Sequence, residues 1–405
     1  MTHGPLSGMK VLELAQIMAG PTCGAMLADL GADVVKVEKL PGGDDTRGYR
    51  VTSEKPIPPS FAMLNRNKRG LALDLKRPEG VAALKRLVAG ADVLIENYRL
   101  GTMERLGVGY DTLREINPGL IYCSISGYGR TGPMAERGGF DLIAQGFAGI
   151  MSVTGEKGGP PLKSGNSVGD INAGLLATIG ILAAYVERAR TGQGQLVDTS
   201  LFEASLQQMY WFAAVYFSSG KVLGASGSAH PLIAPYQAFQ AADQWITVGG
   251  ANQSNWGRIA ELLGHPEWKD DPRFRVGEQR KANEQALAEL IGDIIRTQPA
   301  AYWLARFDEA GVPAGPVHDI AQILAHPQTL ARDMVLDVSH PQEGRLQSLG
   351  LPVKLSGMPQ GKASPPPLLG EHTRVVLAEF GFTPQETEAL LACGAVSEPA
   401  EVDHA

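Results

Sequence analysis

The chain has 405 residues, long enough for two or three domains, and the composition of an ordinary globular protein, with 44% hydrophobic and 20% charged residues. Its net charge of -7 gives the whole molecule no electrostatic reason to bind nucleic acid. Three scattered cysteines without metal-ligand spacing indicate a reducing cytoplasm, and no apolar run approaches the ~20 residues of a membrane-spanning helix.

The first third of the chain alternates between short apolar strands and helices. This alternation predicts an α/β fold with a Rossmann-like, doubly wound parallel sheet that is covered on both faces. The apolar stretch from Ala173 to Val186 contains Gly174 and Gly180, and we predict a buried helix that ends at Gly192 after a basic last turn. The predicted strands are 11–14, 33–38, 71–75, 92–95 and 119–125, and the predicted helices are 24–30, 79–87 and 110–116.

The character of the sequence changes near residue 222. Two strands followed by helices predict a smaller α+β domain over 222–318, after a first domain over 1–205. A third segment, 320–395, contains strands, a connector rich in Pro and Gly, and a final pair of helices before a frayed acidic tail. The predicted limits are strands within 238–250 and at 334–338 and 351–355, helices 256–263, 283–295, 373–380 and 383–391, and a connector over 356–369.

A glycine-rich sequence, Gly127-Tyr128-Gly129-Arg130-Thr131-Gly132, follows the strand predicted at 119–125 and has the spacing of a dinucleotide-binding fingerprint. Such a fingerprint opens a helix, whereas Pro133 follows here at once and no helical period begins behind it. We therefore interpret the sequence as a flexible turn near a ligand and not as a nicotinamide site.

Asp170 lies just before the long apolar helix, which we expect to begin near Asn172. A carboxylate in this position is close to unpaired backbone N–H groups and to the positive end of the helix dipole. Helix capping alone would explain an aspartate there. Gly169 favours a ligand site instead, because glycine lets a ligand approach the backbone closely. With an ordinary pKa of ~3.9 the carboxylate would be ionised and could act as a nucleophile, while backbone donors beside Gly169 stabilise the oxyanion.

Seven basic side chains lie in predicted loops or just after predicted strands. In a doubly wound sheet such positions line the crevice at the carboxyl edge, where an anion can bind, although about half of such charges are ordinary solvated surface. The pair Lys68-Arg69 looks least like surface. The seven are Lys39, Arg47, Arg50, Lys68, Arg69, Lys76 and Arg105.

Other catalytic motifs are missing from the sequence. It has no G-x-S-x-G motif of a serine hydrolase and no P-loop. The histidines are scattered and show no metal-ligand spacing, so we expect no metal site.

Short motifs that point to one family are spread over nearly the whole chain. They are Val11-Leu12-Glu13-Leu14 with Ala19-Gly20-Pro21, Leu30 to Glu38, Gly43-Asp44 with Thr46-Arg47-Gly48, Asn65 to Arg69, Leu73 to Lys76, Glu96-Asn97-Tyr98, Ser126 to Gly129, Gly169-Asp170, Gly192 to Gln195 with Val197-Asp198, and Gly311 to Pro316. In this order they resemble the class III CoA-transferase family, which includes formyl-CoA, carnitine and bile-acid CoA-transferases and, as a branch, α-methylacyl-CoA racemases.

The resemblance implies an interlocked homodimer. Each chain would form a large Rossmann-like CoA-binding domain from both of its ends, so that 320–395 returns to the large domain, and a smaller middle domain. Coenzyme A would be a substrate, with no permanently bound cofactor, and the partners would be an acyl-CoA and a carboxylic acid, with no nucleic acid and no membrane.

The resemblance also implies a mechanism. Asp170 would attack the acyl-CoA thioester to give a mixed anhydride, the CoA thiolate would return to give an aspartyl-CoA thioester, and the acceptor acid would then take the CoA. The CoA contacts of the family offer cations for the phosphates and apolar or aromatic faces for the adenine. They fall here on Lys39, Leu73, Lys76, Asn97, Tyr98, Arg105 and Leu106.

One departure from the family pattern concerns the racemase branch. Racemases need a Gly-His-Asp sequence, and this chain has Gly139-Phe140-Asp141, so proton exchange by two bases lacks one partner. Asp141 could orient an intermediate, and helix capping is its alternative role.

Two further departures concern the substrate. The polyglycine loop of formyl-CoA enzymes is replaced by Ser226 to Pro231, and a lysine that they use for CoA is replaced by Gly138, beside Arg137. We therefore expect a short dicarboxylate such as succinate as donor or acceptor. The arginines that could hold its distal carboxylate are Arg47, Arg50 and Arg66.

Three functions stay open on the sequence alone. CoA transfer from succinyl-CoA or a similar short-chain donor is the preferred one. Isomerisation of a 2-methylacyl-CoA would need an unrecognised base near Asp170. A CoA-binding subunit without activity would be compatible with every basic residue named above.

Overall fold

A computed structural model describes residues 4–49, 57–358 and 363–399. Its internal contacts divide the chain into two compact units. The described residues of Met1–Ile150, Ser164–Met209 and Pro327–Ala405 form the first unit, and Met151–Lys163 with Tyr210–His326 form the second.

The strands and helices of the described residues alternate through much of the chain. The strands are β1 Lys10–Glu13, β2 Asp33–Glu38, β3 Lys68–Leu73, β4 Val93–Glu96, β5 Ile121–Ser126, β6 Leu196–Ser200, β7 Tyr236–Gln240, β8 Trp245–Gly249, β9 Ala314–Pro316, β10 Val335–His340, β11 Gly344–Leu349 and β12 Val396–Ser397. The helices are α1 Ala19–Asp29, α2 Pro59–Asn65, α3 Pro78–Ala89, α4 Thr102–Arg105, α5 Tyr110–Ile116, α6 Asp141–Phe147, α7 Ile150–Val153, α8 Val168–Thr191, α9 Leu201–Gln207, α10 Tyr210–Ser219, α11 Gln253–Leu262, α12 Gly277–Ala282, α13 Glu284–Ile295, α14 Ala300–Glu309, α15 Ile320–Ala325, α16 Pro327–Ala331, α17 Thr373–Glu379 and α18 Pro384–Ala392, with 3₁₀ turns at Asp45–Gly48 and Pro266–Lys269.

The first unit is built on a seven-stranded sheet with the order β12-β3-β2-β1-β4-β5-β6. Strands β1 to β6 pair in parallel, and only β12 pairs antiparallel, with β3. The order 3-2-1-4-5-6 is that of a doubly wound nucleotide-binding sheet. The prediction of an α/β fold with a largely parallel sheet is therefore confirmed.

Both faces of this sheet are buried. Successive side chains of a strand point to opposite faces, so neighbouring residues of one strand belong to different cores. In β1, Val11 belongs to a core with apolar residues of α1 and α8, such as Cys23 and Ile181. The next residue, Leu12, belongs to a second core with residues of α3 and α17, such as Leu87.

Helix α8 begins at Val168, before the start that we predicted near Asn172, and ends as predicted at Gly192, whose φ of 72° is left-handed. Its inner face packs closely on α1, since a Cβ at Gly174 would lie 2.5 Å from the Ala19 carbonyl oxygen. Its outer face is exposed at Ile179 and Val186, so the helix predicted to be buried is buried along one face only. Among the described residues, α8 is the one helix whose length and composition alone would allow a membrane span.

The hairpin of β10 and β11 differs from the prediction. We expected its second strand at 351–355, but β11 is Gly344–Leu349 and pairs antiparallel with β10. Pro352 has no N–H to donate to a ladder, which fits its position outside the strand. Of the predicted connector over 356–369, residues 359–362 lie outside the described residues.

The second unit has its own core. Three antiparallel strands in the order β7-β8-β9 pack with helices α11, α13 and α14 around buried aromatic side chains, among them Trp256, Phe274 and Phe307. This unit therefore combines α-helices with a small antiparallel sheet.

Candidate active site

The strand order of the sheet reverses between β1 and β4, and ligands of doubly wound proteins bind at such a switch point. The loops that leave these two strands are fastened to each other here. The Gln16 N–H donates to Asn97 Oδ1 at 2.9 Å, and Asn97 Nδ2 donates to the Gln16 carbonyl oxygen at 2.8 Å. The two hydrogen bonds fix the floor of a crevice at the carboxyl edge of the sheet.

A cavity of about 170 Å³ lies in this crevice. Asp170, Asn97 and Tyr98, all predicted from the sequence, line it together with Ile17 and Phe140. The fold thus brings the predicted nucleophile and two of the predicted CoA contacts to one place.

Asp170 is the third residue of α8, and Ser167 occupies the N-cap position. Asp170 is therefore not the helix cap, contrary to the alternative considered from the sequence. Its carboxylate accepts no hydrogen bond from the described residues, although its backbone N–H donates to Asp141 Oδ1 at 3.3 Å. An unpaired carboxylate that lines a cavity is available to a substrate.

The environment of Asp170 raises the pKa of its carboxyl group to about 7, first because burial disfavours the charged form and second because the Asp141 carboxylate is near. The expectation of an ordinary pKa, and hence of full ionisation at neutral pH, was wrong. The sequence could not show it, because both causes depend on tertiary packing.

Asp141 caps α8 and not its own helix. Its Oδ1 accepts from the Gly169 N–H at 2.8 Å, and its Oδ2 accepts from Gln145 Nε2 at 2.6 Å. The N–H groups of Gly169 and Asp170 are thereby occupied, so the prediction that donors beside Gly169 stabilise an oxyanion was wrong. The anion that they stabilise is Asp141.

Gly169 also has a different role from the predicted one, which was to let a ligand approach the backbone. A Cβ at this position would lie 2.8 Å from Ser205 Oγ and 3.1 Å from Asp141 Oδ1. The missing side chain makes room for two neighbouring side chains of the protein and not for a ligand.

A second, more open cavity of about 420 Å³ brings together three predicted CoA contacts, Lys76, Arg105 and Leu106. Arg77 and Lys85 line it as well, and no acidic side chain of the described residues does. The sequence analysis missed these two cations. The four-residue spacing of Arg77, Val81 and Lys85 along the start of α3 was a signal that could have found them.

The remaining predicted contacts line neither of these cavities. The Leu73 side chain is 1% exposed and lies in the core beside β12. Lys39 is exposed and forms an ion pair with Asp45.

Most of the other candidate cations are already paired. Arg47 donates to both carboxylate oxygens of Glu38, at 2.6 and 2.7 Å, and Arg66 is paired with Asp29. The prediction that either holds a substrate carboxylate therefore disagrees with this structure. The third candidate, Arg50, lies outside the described residues.

The pair Lys68-Arg69, which we predicted to lie in a loop or just after a strand, instead begins β3. Lys68 is buried and lies 2.8 Å from Glu13, and Arg69 lies 2.6 Å from Asp33. The pair differs from ordinary surface because it supports the fold.

The glycine-rich sequence after β5 is a loop, and the next helix begins only at Asp141. Its Arg130 donates to Glu104 at 2.7 Å and lies 3.6 Å from Glu96. Burial raises the pKa of Glu96 to about 7. Glu96 precedes Asn97 and Glu104 precedes Arg105, so Arg130 connects two segments that contain predicted CoA contacts. This connection was not predicted from the sequence.

The replaced lysine position, Gly138, lies against another cation. A Cβ at Gly138 would lie 3.1 Å from Arg99 Nε. Arg137 is exposed at the surface. In the second unit, the segment in place of the polyglycine loop has its His230 ring stacked on Tyr236, with ring centroids 5.3 Å apart.

Comparison with known proteins gives consistent matches. The family model described as CoA-transferase family III matches residues 6–373. An acyl-CoA transferase of Fusarium pseudograminearum is 42% identical over 391 residues, which cover 94% of this chain and 86% of the relative. The succinyl-CoA:glutarate CoA-transferase of Mus musculus is 36% identical over 395 residues, which cover 97% and 91%. The crystal structure of a CAIB/BAIF family protein from Brucella suis, 40% identical, superposes with a TM-score of 0.83 and covers 94% of this chain and 100% of that chain.

Proposed function

Because this chain belongs to CoA-transferase family III and is an enzyme of that type, we propose that it transfers CoA from succinyl-CoA, or a similar short-chain acyl-CoA, to a carboxylic acid through acyl-aspartate and aspartyl-CoA intermediates on Asp170. The observation that carries the proposal is the unpaired Asp170 carboxylate in the cavity at the switch point of the sheet. The name of the Mus musculus relative supports succinyl-CoA as the donor.

The chemistry begins with attack of one Asp170 oxygen on the thioester carbonyl carbon. The C–S bond breaks, CoA leaves as a thiolate, and a mixed anhydride remains. The thiolate then attacks the aspartyl carbonyl and releases the donor acid. The acceptor carboxylate attacks the resulting aspartyl-CoA thioester, and the thiolate returns to the acceptor acyl group, which regenerates Asp170. Burial of the carboxylate assists the first step, because an attacking oxygen with little hydration has less water to lose.

Asp141 has a positioning role in this proposal. Its hydrogen bonds to the Gly169 and Asp170 N–H groups fix the first turn of α8, and so the direction of the Asp170 side chain. Its negative charge also contributes to the raised pKa of Asp170.

The CoA phosphates are assigned to the basic cavity. Its cations Lys76, Arg77, Lys85 and Arg105 can form charge-assisted hydrogen bonds with phosphate oxygens. Leu106 offers an apolar surface to the adenine, while Asn97 and Tyr98 meet the pantetheine arm near Asp170. Exposed Lys39 is a further proposed contact, whereas the Leu73 side chain is buried in the core and is left out of the proposal.

The double variant Lys76→Ala/Arg105→Ala should raise KM for succinyl-CoA at least ~10-fold, because hydrogen bonds to charged groups contribute ~1.5–3 kcal/mol each. The kcat should change less than about twofold, since these cations bind the donor equally before and during the reaction. Steady-state kinetics with succinyl-CoA measure both constants. Arg114→Ala, which removes an exposed arginine of α5, is the matched control and should leave KM unchanged. An unchanged KM in the double variant would exclude this cavity as the phosphate site.

The homodimer is a further part of the proposal, with 1–205 and 320–395 contributing to the large domain and 222–318 forming the small one. Helix α10 has no buried residue, and its Trp211 and Phe217 side chains are 62% and 84% exposed. Such apolar surface is typical of an interface, and an interlocked partner would cover it. Light scattering should give a particle of twice 43.0 kDa.

We also propose a cytoplasmic location, because the cysteines are unpaired.

Product analysis tests the function directly. Succinyl-, acetyl- and formyl-CoA are each incubated with a panel of carboxylic acids, and new acyl-CoA products are identified by mass spectrometry. Transfer from succinyl-CoA to a second acid supports the proposal. Exchange of an α-proton with deuterated water and no transfer would instead support the isomerase, although Phe140 stands where a second base would be needed. Binding of CoA with neither reaction would contradict the proposed mechanism.

A further inference from the structure

The wall of the Asp170 cavity contains a residue in an unfavourable backbone conformation. Ile17 has a φ of 69°, in the left-handed region. A β-branched residue is an outlier there, and it keeps such a conformation only when its surroundings hold it. Ile17 lies between Gln16 and Met18, and all three residues line the cavity with Asp170.

The carboxylate of Asp44 holds this backbone. The Ile17 N–H donates to both oxygens of Asp44, each at 3.2 Å, and Asp44 is only 1% exposed. The preceding residue, Gln16, is fixed by its two hydrogen bonds to Asn97. The loop after β1 is thus anchored by the loop after β2 on one side and by the loop after β4 on the other.

Asp44 is itself firmly placed. Lys36 Nζ lies 2.7 Å from Asp44 Oδ2, while the Thr46 N–H and hydroxyl donate to Oδ1 at 2.9 and 2.8 Å. Burial alone would raise the pKa of Asp44, but Lys36 and the Thr46 hydrogen bonds outweigh burial and lower the pKa to about 2. Lys36 also donates to Glu13 in β1 and to the carbonyl oxygen of Ala15, which follows β1. The Lys36–Asp44 pair is therefore fixed to β1 and its loop.

We propose that Asp44 is a positioning residue for CoA transfer, which keeps Ile17 in its left-handed conformation and thereby holds the Gln16–Met18 wall of the cavity against Asp170. The inference rests on the proposed function. Asp44 does not itself line the cavity, although its neighbour Asp45 does, and its direct link to the Gln16–Met18 wall is the pair of hydrogen bonds from the Ile17 N–H. A displacement of about 1 Å at a site of chemistry can cost ~10²-fold in rate, which is the size of effect that we expect.

The test is a double-mutant cycle, assayed at pH 8 with succinyl-CoA and glutarate as the probes. Asp44→Asn should lower kcat about 100-fold and change KM for succinyl-CoA less than about threefold. Ile17→Gly should lower kcat less than about tenfold, since glycine adopts the left-handed conformation without strain and loses only a wall side chain. The double variant should have the kcat of Ile17→Gly, because glycine no longer needs the carboxylate.

A merely structural role of Asp44 gives a different pattern. Loss of its charge would then lower the melting temperature, because buried Lys36 would keep only Glu13 as a charged partner, and Ile17→Gly would not restore kcat. Additive losses in the cycle, or a normal kcat in Asp44→Asn, would overturn the proposal. Asp333→Gly is the matched control: Asp333 also has a positive φ, of 50°, but lies in the turn before β10, and its replacement should not rescue Asp44→Asn.

A second variant covers the possibility that Asp44→Asn does not fold. Thr46→Val removes one donor to Asp44 Oδ1 and keeps the charge pair with Lys36. It should lower kcat several-fold, and Ile17→Gly should abolish that loss; without such a rescue the proposal is wrong. If the wild-type protein itself transfers no CoA from any donor, the proposed function fails, whereas a failed rescue in an active protein contradicts only the role of Asp44.

Discussion

Replacing Asp170 with asparagine should lower kcat for CoA transfer at least ~10³-fold, a loss typical of a removed nucleophile. The amide has nearly the shape of the carboxylate but cannot form the anhydride. The hydrogen bonds that fix the first turn of α8 use the backbone of Asp170, and this substitution leaves them in place. Affinity for CoA, measured by calorimetry, should therefore change less than about twofold, since the basic cavity is untouched.

Chemical trapping connects this loss to the intermediate. Wild-type protein incubated with succinyl-CoA and hydroxylamine should yield a hydroxamate on the peptide that contains Asp170, detected by mass spectrometry, and Asp170→Asn should yield none. Asp111→Asn is the matched control, because Asp111 also lies in the first turn of a helix, α5, but is exposed. Normal turnover by Asp170→Asn would rule out the acyl-aspartate mechanism.

The second large effect is the dependence of turnover on pH. The ionised form of Asp170 is the proposed nucleophile, and with a pKa of about 7 this form makes up about 1% of the protein at pH 5 and most of it at pH 8. The value of kcat/KM should rise about 100-fold between these two pH values and then level off. In Asp141→Asn this rise should move to lower pH, because the nearby negative charge is gone. A profile that is flat from pH 5 to 8 would contradict the raised pKa.

The same ionisation should affect stability in the opposite direction. The pKa of Asp170 is raised from 3.8 to about 7 on folding, so the unfolded chain loses this proton first as the pH rises. The contribution of Asp170 to the free energy of unfolding is thus fully present below pH ~4 and is lost as the pH rises to about 7. The contribution amounts to a few kcal/mol at most. Thermal unfolding should show Asp170→Asn to be more stable than the wild-type protein at pH 8 and similar to it at pH 4.

The sheet and the place of the nucleophile could be predicted because they follow from local patterns. The strand at 33–38 contains three valines and has the observed limits, and the alternation of strands and helices predicts a parallel sheet. The grouping of Asn97 and Tyr98 with Asp170 was expected only from the family resemblance, and all three line one cavity. Helix α10 gave no such signal, because its apolar residues surround it on all sides and carry no helical period.

The role of each charge could not be predicted in the same way. Arg47 and Lys76 are both cations in predicted loops or after predicted strands. In the structure Arg47 forms an ion pair with Glu38, whereas Lys76 lines an open basic cavity. The partner of a charge is set by side chains that are distant in sequence, as for Arg66 and Asp29. The pKa of Asp170 depends on such a partner too, since Asp141 reaches it from a different helix.

The position of Asp141 has a consequence for how this enzyme can evolve. One carboxylate both secures the start of α8 and makes its neighbour harder to ionise. A mutation that removes the charge would shift the working range toward acid and loosen the helix at the same moment. We therefore expect that the pH range of turnover can be changed at position 141 without loss of helix stability only if a second substitution in α6 or α8 restores the lost hydrogen bonds.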